Sequence, residues 1–327
     1  MRLAGLLIIF WGASLFAQNI PENFRLKTFY FNSDPVEVLV QSFPEETDIT
    51  KPLFVFLQGS LGRPLVLSED ETFKLVALPF RNDSILKDYH IVLVSKPFIP
   101  AIANQSQLDD NYVFRDSEGN IPKKFLQSDF IEYYTDQINT AIGQLLKEDW
   151  VSSTTLVVAG HSQGSHIAVD VAASNKSVSH LIFSGGNPYG RILNTIGSVR
   201  ADEDTVPKTP RIFEYYAQAL QNSDDDFSEL GGDSFKSITS NNKSTNQTIL
   251  NLNIPILVSY GSRDNVTPYI DLLHIEALKS GKQHIRFWEY TGTNHNFFPI
   301  DNDGNVDYSI NPWDKVAQDW YKWIKEN

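Results

Sequence analysis

The sequence predicts an α/β protein: a mostly parallel, doubly wound sheet with helices on both faces and a lid-like insertion late in the chain. Three observations predict it. Short apolar runs rich in β-branched residues alternate with helical patterns along the chain. The middle runs are continuously apolar rather than alternating, as strands covered on both faces must be. The segments between them carry apolar residues at helical spacing on one side only.

The runs in order are EVLVQ (37–41), PLFVFLQG (52–59), HIVLVSK (90–96), TTLVVAG (154–160), HLIFSGG (180–186), IPILVSYG (254–261) and HIRFWEY (284–290). Ile131, Tyr134, Ile138, Ile142 and Leu145 share one helical face, and so do Trp313, Val316, Trp320 and Trp323. Two stretches break the alternation. Residues 97–128 read as a long polar loop. Residues 187–251, rich in Ser, Asn and Asp, form the insertion, and segments of that length are functional or disordered. Within it, RIFEYYAQALQN (211–222) has helical spacing, with Phe213, Tyr216 and Leu220 along one side. That stripe either roofs a pocket or packs the insertion onto the body.

The 327 residues are 41% hydrophobic and 20% charged, ample for a sizeable core. A formal net charge of −13, with no Lys/Arg cluster to offset it, argues against nucleic acid and anionic lipid as partners. Arg2 followed by LAGLLIIFWGASLFA gives a charged start and an apolar stretch too short to span a bilayer comfortably. It reads as a signal peptide over 1–17, cut after Ala17 and leaving residues 18–327, although Leu15 replaces the usual small residue three before the cut. The expectation is an exported, periplasmic or secreted protein with no stable membrane insertion; the alternative is an uncleaved anchor. The chain has no cysteine, so disulfides, thiolate chemistry and Cys-based metal sites are excluded, which suits a bacterial envelope. The N-x-S/T triplets at Asn104, Asn175, Asn242 and Asn246 would accept glycans only in a host with that machinery.

The chemistry centres on VVAGHSQGSHIAVD (157–170), where G-x-S-x-G joins a strand to a helix. Ser162 sits where a strained turn presents a hydroxyl, and Gly160 and Gly164 let strand and helix approach. The helix start aims backbone N–H groups at a developing oxyanion. DNDGNVD (301–307) alternates oxygen-bearing residues, but its glycine is misplaced for a calcium loop and no bidentate Glu follows, so it reads as a solvated turn. NSDDDFSE (222–229) reads the same way. No metal-ligand, P-loop or dinucleotide motif appears.

Over roughly residues 35–326 the chain resembles the α/β-hydrolase superfamily, in strand order as well as motifs. The resemblance implies a Ser–Asp–His order. Asp264 in YGSRDNVTP, after a late strand, takes the acid's place, and His295 in TGTNHNFF, after the last, takes that of the base. SGGNPYG, the other slot for the acid, has no carboxylate. The resemblance further implies an oxyanion hole from the N–H groups of Ser60, in LQGSLG, and Gln163. Gln58 stands where the family commonly has His, but the donors are backbone groups. His161, in the variable elbow position, is expected to point away from the serine, and His166 to be packed. His90, His180 and His284 begin strands, the wrong end of a parallel sheet for ligands, and His274 falls on a helix.

Together these features imply an exported serine hydrolase that needs no cofactor and cleaves an ester or related acyl bond of a small-molecule or peptide substrate. The alternatives are an aminopeptidase-like or prolyl-oligopeptidase-like peptidase, for which the Gly-Gly after the serine is missing and Ser165 stands instead, and a non-catalytic binding protein on the same scaffold.

Overall fold

A computed structural model of the protein describes residues 20–69, 72–226 and 232–327. The expected signal peptide over 1–17 lies outside the described residues. The chain opens with an antiparallel hairpin of β1 (Phe24–Phe31) and β2 (Asp34–Gln41). Its turn runs through Asn32 and Ser33 at φ 51° and 70°, the left-handed pair that matches strand twist. β3 (Lys51–Leu57) follows and is buried along most of its length. β4 (Val66–Glu69), β5 (Thr72–Leu75) and the later β7 (Ile102–Ala103) form a small separate sheet in the order β5-β4-β7. Between them come α1 (Asp83–Leu86) and the fully buried β6 (His90–Val94).

The rest alternates as expected. α2 (Lys123–Ser128) and α3 (Ile131–Leu145) lead to β8 (Val151–His161), α4 (Gln163–Ser174) and β9 (His180–Ser184). The insertion holds α5 (Ile192–Ala201), α6 (Thr209–Gln221), α7 (Phe235–Ser240) and α8 (Asn246–Asn251). β10 (Ile256–Gly261), α9 (Thr267–Lys279), β11 (Ile285–Tyr290) and α10 (Trp313–Glu326) complete the chain.

The main sheet has eight strands in the order β1-β2-β6-β3-β8-β9-β10-β11, antiparallel at the β1-β2-β6 end and parallel from β6 onward. One face packs Val55, Val158 and Val258 against Ile138 and Ile142 of α3, Ile167 and Val171 of α4, and Ile270 and Leu273 of α9. The other packs Phe54, Leu93 and Leu257 against α1 and the Trp313, Trp320 and Trp323 face of α10. This two-sided cover is why the middle strands are apolar throughout. It also sends the C-terminal ends of β3, β8, β9, β10 and β11 to one edge of the sheet, where loops can converge.

Two expectations change. The Phe213, Tyr216 and Leu220 stripe of α6 is only partly turned inward, through the half-buried Tyr216. Phe213 and Leu220 are half exposed, Ala219 is buried, and Ile212 and Tyr215 line a cavity. The inward side of α6 runs through Ile212, Tyr216 and Ala219, spaced four and three residues apart. The long loop over 97–128 also carries structure of its own, in β7 and α2. No helix among the described residues is long and apolar enough to cross a membrane.

Candidate active site

Ser162 has φ 57° and ψ −123°, a conformation costly for any L residue, held between the end of β8 and the start of α4. Its N–H donates to the carbonyl of Ser184, 2.9 Å away. The flanking glycines are required by contact rather than by dihedral. A Cβ on Gly160 would lie 2.0 Å from the Gly164 carbonyl oxygen, and one on Gly164 would lie 2.1 Å from that of Leu57 in β3. Strand, elbow and helix therefore touch backbone to backbone.

Asp264 follows β10 and is buried, and His295 lies in the loop after β11. The imidazole Nδ1 and the carboxylate Oδ2 are 2.7 Å apart, and the other carboxylate oxygen accepts the Val266 N–H at 3.2 Å. A carboxylate on Nδ1 fixes the ring so that Nε2 is left for other work. Ser162, His295 and Ser60 line two adjoining cavities of about 470 and 440 Å³. Among the described residues the N–H groups of Ser60 and Gln163 have no acceptor, and Gln163 is the first residue of α4. The structure thus brings Ser162, Asp264, His295, Ser60 and Gln163 together.

Among the described residues His161 makes no hydrogen bond to Ser162, in keeping with the expectation, but it meets His295. Its ring lies 4.8 Å from that of His295, centroid to centroid, and its Nδ1 is 3.0 Å from the Ser184 hydroxyl. Burial, and after it His295, hold its pKa well below the ordinary histidine range. The space for the two imidazoles comes from Gly185, at φ 60°, where a Cβ would meet His161 Cε1 at 2.7 Å and His295 Cε1 at 3.3 Å. His166 packs edge-on against Phe183 but also lines the larger cavity.

Beneath the elbow is a buried polar cluster that sequence reading missed. The Lys96 ammonium donates to Gln163 Oε1 at 2.6 Å and lies 4.3 Å from the centre of the Tyr134 ring. Gln163 Nε2 donates to Asp129 and to Asn241, each at 3.0 Å, and Tyr134 donates to the same Asp129 oxygen at 2.7 Å. Burial pushes Lys96 down to about 8, against the attraction of Asp129. Asn241 closes α7, so the insertion reaches the residue beside Ser162. In the 301–307 loop, the Asp301 carboxylate accepts from the N–H groups of Asp303 and Asn305 and so serves its own turn.

No protein-family model matches the chain, and no curated protein sequence matches it significantly. Solved structures do. Est1E from Butyrivibrio proteoclasticus with ferulic acid bound superposes with a TM-score of 0.55 at 13% identity, over 92% of this chain and 98% of that one. Porphyromonas gingivalis dipeptidyl peptidase 4 gives 0.54 at 13% identity, over 93% of this chain and 35% of that one. Pyrococcus horikoshii acylaminoacyl peptidase gives 0.52 at 13% identity, over 93% and 41%. The chain spans well under half the length of the peptidases it matches. At such identities the likeness is one of fold, and that fold is the α/β-hydrolase fold.

Proposed function

We propose that the protein is a serine hydrolase that cleaves an ester bond through an acyl-enzyme. The observation that carries this is the Asp264–His295 pair, 2.7 Å apart, opening onto the cavity into which the strained elbow presents Ser162. In this reading His295 Nε2 takes the Ser162 proton as Oγ attacks the acyl carbonyl. The N–H groups of Ser60 and Gln163 receive the negative charge on the carbonyl oxygen. The tetrahedral species collapses, the leaving alcohol takes the proton from His295, and water repeats the sequence to release the acid and free the serine.

The charges around the serine favour an ester over a peptide with a free N-terminus. A substrate α-ammonium needs a carboxylate. Of the described residues lining the two cavities beside Ser162, only Asp264 carries one, and it is bonded to His295. Export by a signal peptide over 1–17 is part of the proposal, and a mature N-terminus at Gln18 in an envelope fraction would support it.

The test is labelling with a fluorophosphonate, which reacts only with an activated serine, followed by a panel of p-nitrophenyl esters and aminoacyl amides. The wild type should label and hydrolyse esters. Ser162→Ala should do neither, leaving at best the weak effect of the oxyanion site, while its melting temperature barely moves. Wild-type turnover in Ser162→Ala would overturn the assignment, and faster cleavage of the amides would overturn the choice of ester.

A further inference from the structure

The larger cavity beside Ser162 has a wall that the hydrolytic step does not use. His166, on α4, lines it with a relative exposure of 7%, and among the described residues no group hydrogen-bonds to its ring. Its ring nitrogens are not sealed off from the cavity and are open to a group that enters it. Burial pushes its pKa down to about 4, with the nearby Arg191 charge acting in the same direction, so near neutral pH it can both donate and accept. Arg191 enters the same cavity from the loop after β9. That loop is firmly built: Asn187 is buried, donates to Asn194 at 2.7 Å and accepts the Tyr189 N–H at 3.0 Å.

Among the described residues Arg191 makes one ion pair, to Asp233 at 3.2 Å, with both side chains exposed. Pairs of that kind contribute about 0–1 kcal/mol and leave most of the guanidinium's five donors unused. On the far side of Arg191 a third cavity, of about 450 Å³, is lined by Arg191, Arg211 and Asp233, two cations against one anion. Toward Ser162 the wall continues with the neutral Asn194 and Thr195. The protein as a whole is strongly acidic, yet among the described residues the one charged side chain on this wall that is not committed to His295 is a cation.

We infer that the compartment between Ser162 and the insertion is a subsite for a carboxylate-bearing part of the substrate, with Arg191 and His166 as its two recognition groups. This rests on the hydrolase reading and deepens it: the preferred ester carries a carboxylate beyond the bond that is cut. The guanidinium offers paired donors to the carboxylate and the neutral imidazole a third. A substrate ending in an ammonium group is disfavoured by the same charge.

The experiment compares esters matched in length. In one arm p-nitrophenyl half-esters of adipic and suberic acid are set against p-nitrophenyl hexanoate and octanoate, which places the carboxylate on the acyl side. In the other, the acetyl ester of 4-hydroxybenzoate is set against that of its methyl ester, which places it on the leaving group. The wild type should favour the carboxylate form in one arm, on the order of tenfold in kcat/KM, chiefly through KM; tenfold corresponds to about 1.4 kcal/mol. Arg191→Gln should bring that ratio to about one, and Arg191→Lys should keep part of it. The exposed position of Arg191 leaves folding out of the comparison. Hydrolysis with no carboxylate preference in either arm, or a preference that survives Arg191→Gln, overturns the subsite. Failure to hydrolyse any of the esters instead overturns the hydrolase reading beneath it.

Discussion

Asp264→Asn isolates the acid from everything else at the site. Asparagine has nearly the same shape, and its carbonyl oxygen can still accept the Val266 N–H that now reaches one carboxylate oxygen at 3.2 Å. The oxygen 2.7 Å from His295 Nδ1 becomes an amide NH2. A donor there asks Nδ1 to accept, which moves the imidazole proton to Nε2, the atom that must take a proton from Ser162. The charge that would stabilise the imidazolium is lost as well. In the serine-protease case this replacement costs about 10⁴ in turnover. Asp264 is nearly as well buried here, with 4% of its side chain exposed, so the expected loss is on the order of 10³–10⁴, or about 4–5.5 kcal/mol of barrier. The assay is kcat/KM for a p-nitrophenyl ester between pH 5 and 9 for wild type, Asp264→Asn and Asp271→Asn. Asp271, exposed on α9, should be indifferent. A loss below tenfold in Asp264→Asn, or equal damage in Asp271→Asn, would refute the assignment. Asp301 and Asp303 would then be tested, although the Asp301 carboxylate is already bonded to its own loop.

Gly164→Ala should disrupt folding more than any surface change, because its Cβ would meet the carbonyl oxygens of Leu57 and Gln58 at 2.1 and 2.7 Å, both fixed backbone; Gly143→Ala in α3, with open space around it, should stabilise by about 0.5–1 kcal/mol, and urea unfolding compares the two. His166 links stability to acid: its folded pKa of about 4 lies below the 6.5 of the unfolded chain, so its contribution is full above pH 6.5 and is lost as pH falls through 4. That amounts to roughly 3 kcal/mol, and His166→Asn should flatten the unfolding free energy against pH over this window; an unchanged slope refutes it. Asn241→Ala removes an acceptor from Gln163 Nε2, and kcat should fall by a similar factor, roughly tenfold, on acetate and on longer esters; a loss confined to long esters would show that Asn241 only selects substrate.

The legible parts of the sequence were those whose chemistry is local. G-x-S-x-G after TTLVVA needs only a strand, a turn and a helix in succession, and the structure supplies them as β8, Ser162 and α4. All seven apolar runs became strands, the middle ones because burial on both faces leaves no other use for Val, Ile and Phe in a row, whereas the half-exposed β11 closes the sheet at its edge. β1 was not visible: FRLKTFYF mixes charge with aromatics, as suits an edge strand paired on one side only. Lys96, after HIVLV, reads as a polar stop to a buried strand, and its burial depends on Asp129, Gln163 and Tyr134, 33 to 67 positions away. Nothing in periodicity marks such a cluster. His161 bonds Ser184 rather than Ser162, as strand alternation implies, but its meeting with His295, for which Gly185 leaves the room, was not legible.

The cluster around Lys96 and Gln163 bears on how the insertion relates to the site. A lid covers a finished site, and its removal changes which substrates enter. Here the insertion supplies Asn241 to the side chain of Gln163, whose backbone N–H is a proposed oxyanion donor, and it lines the cavity through the same residue. Ser240, next along the chain, accepts the Ile131 N–H at the start of α3 and donates to Glu132 at 2.6 Å, so this part of the insertion is fastened to the body as well. Hydrogen bonds around a buried amide are worth most when every member is satisfied, and Gln163 has all three of its side-chain partners: Lys96, Asp129 and Asn241. Cutting away residues 190–250 would leave Gln163 short of one acceptor at the first residue of α4. The smallest acetate ester should then suffer as much as the longest, which is the behaviour of a wall of the site rather than of a door to it.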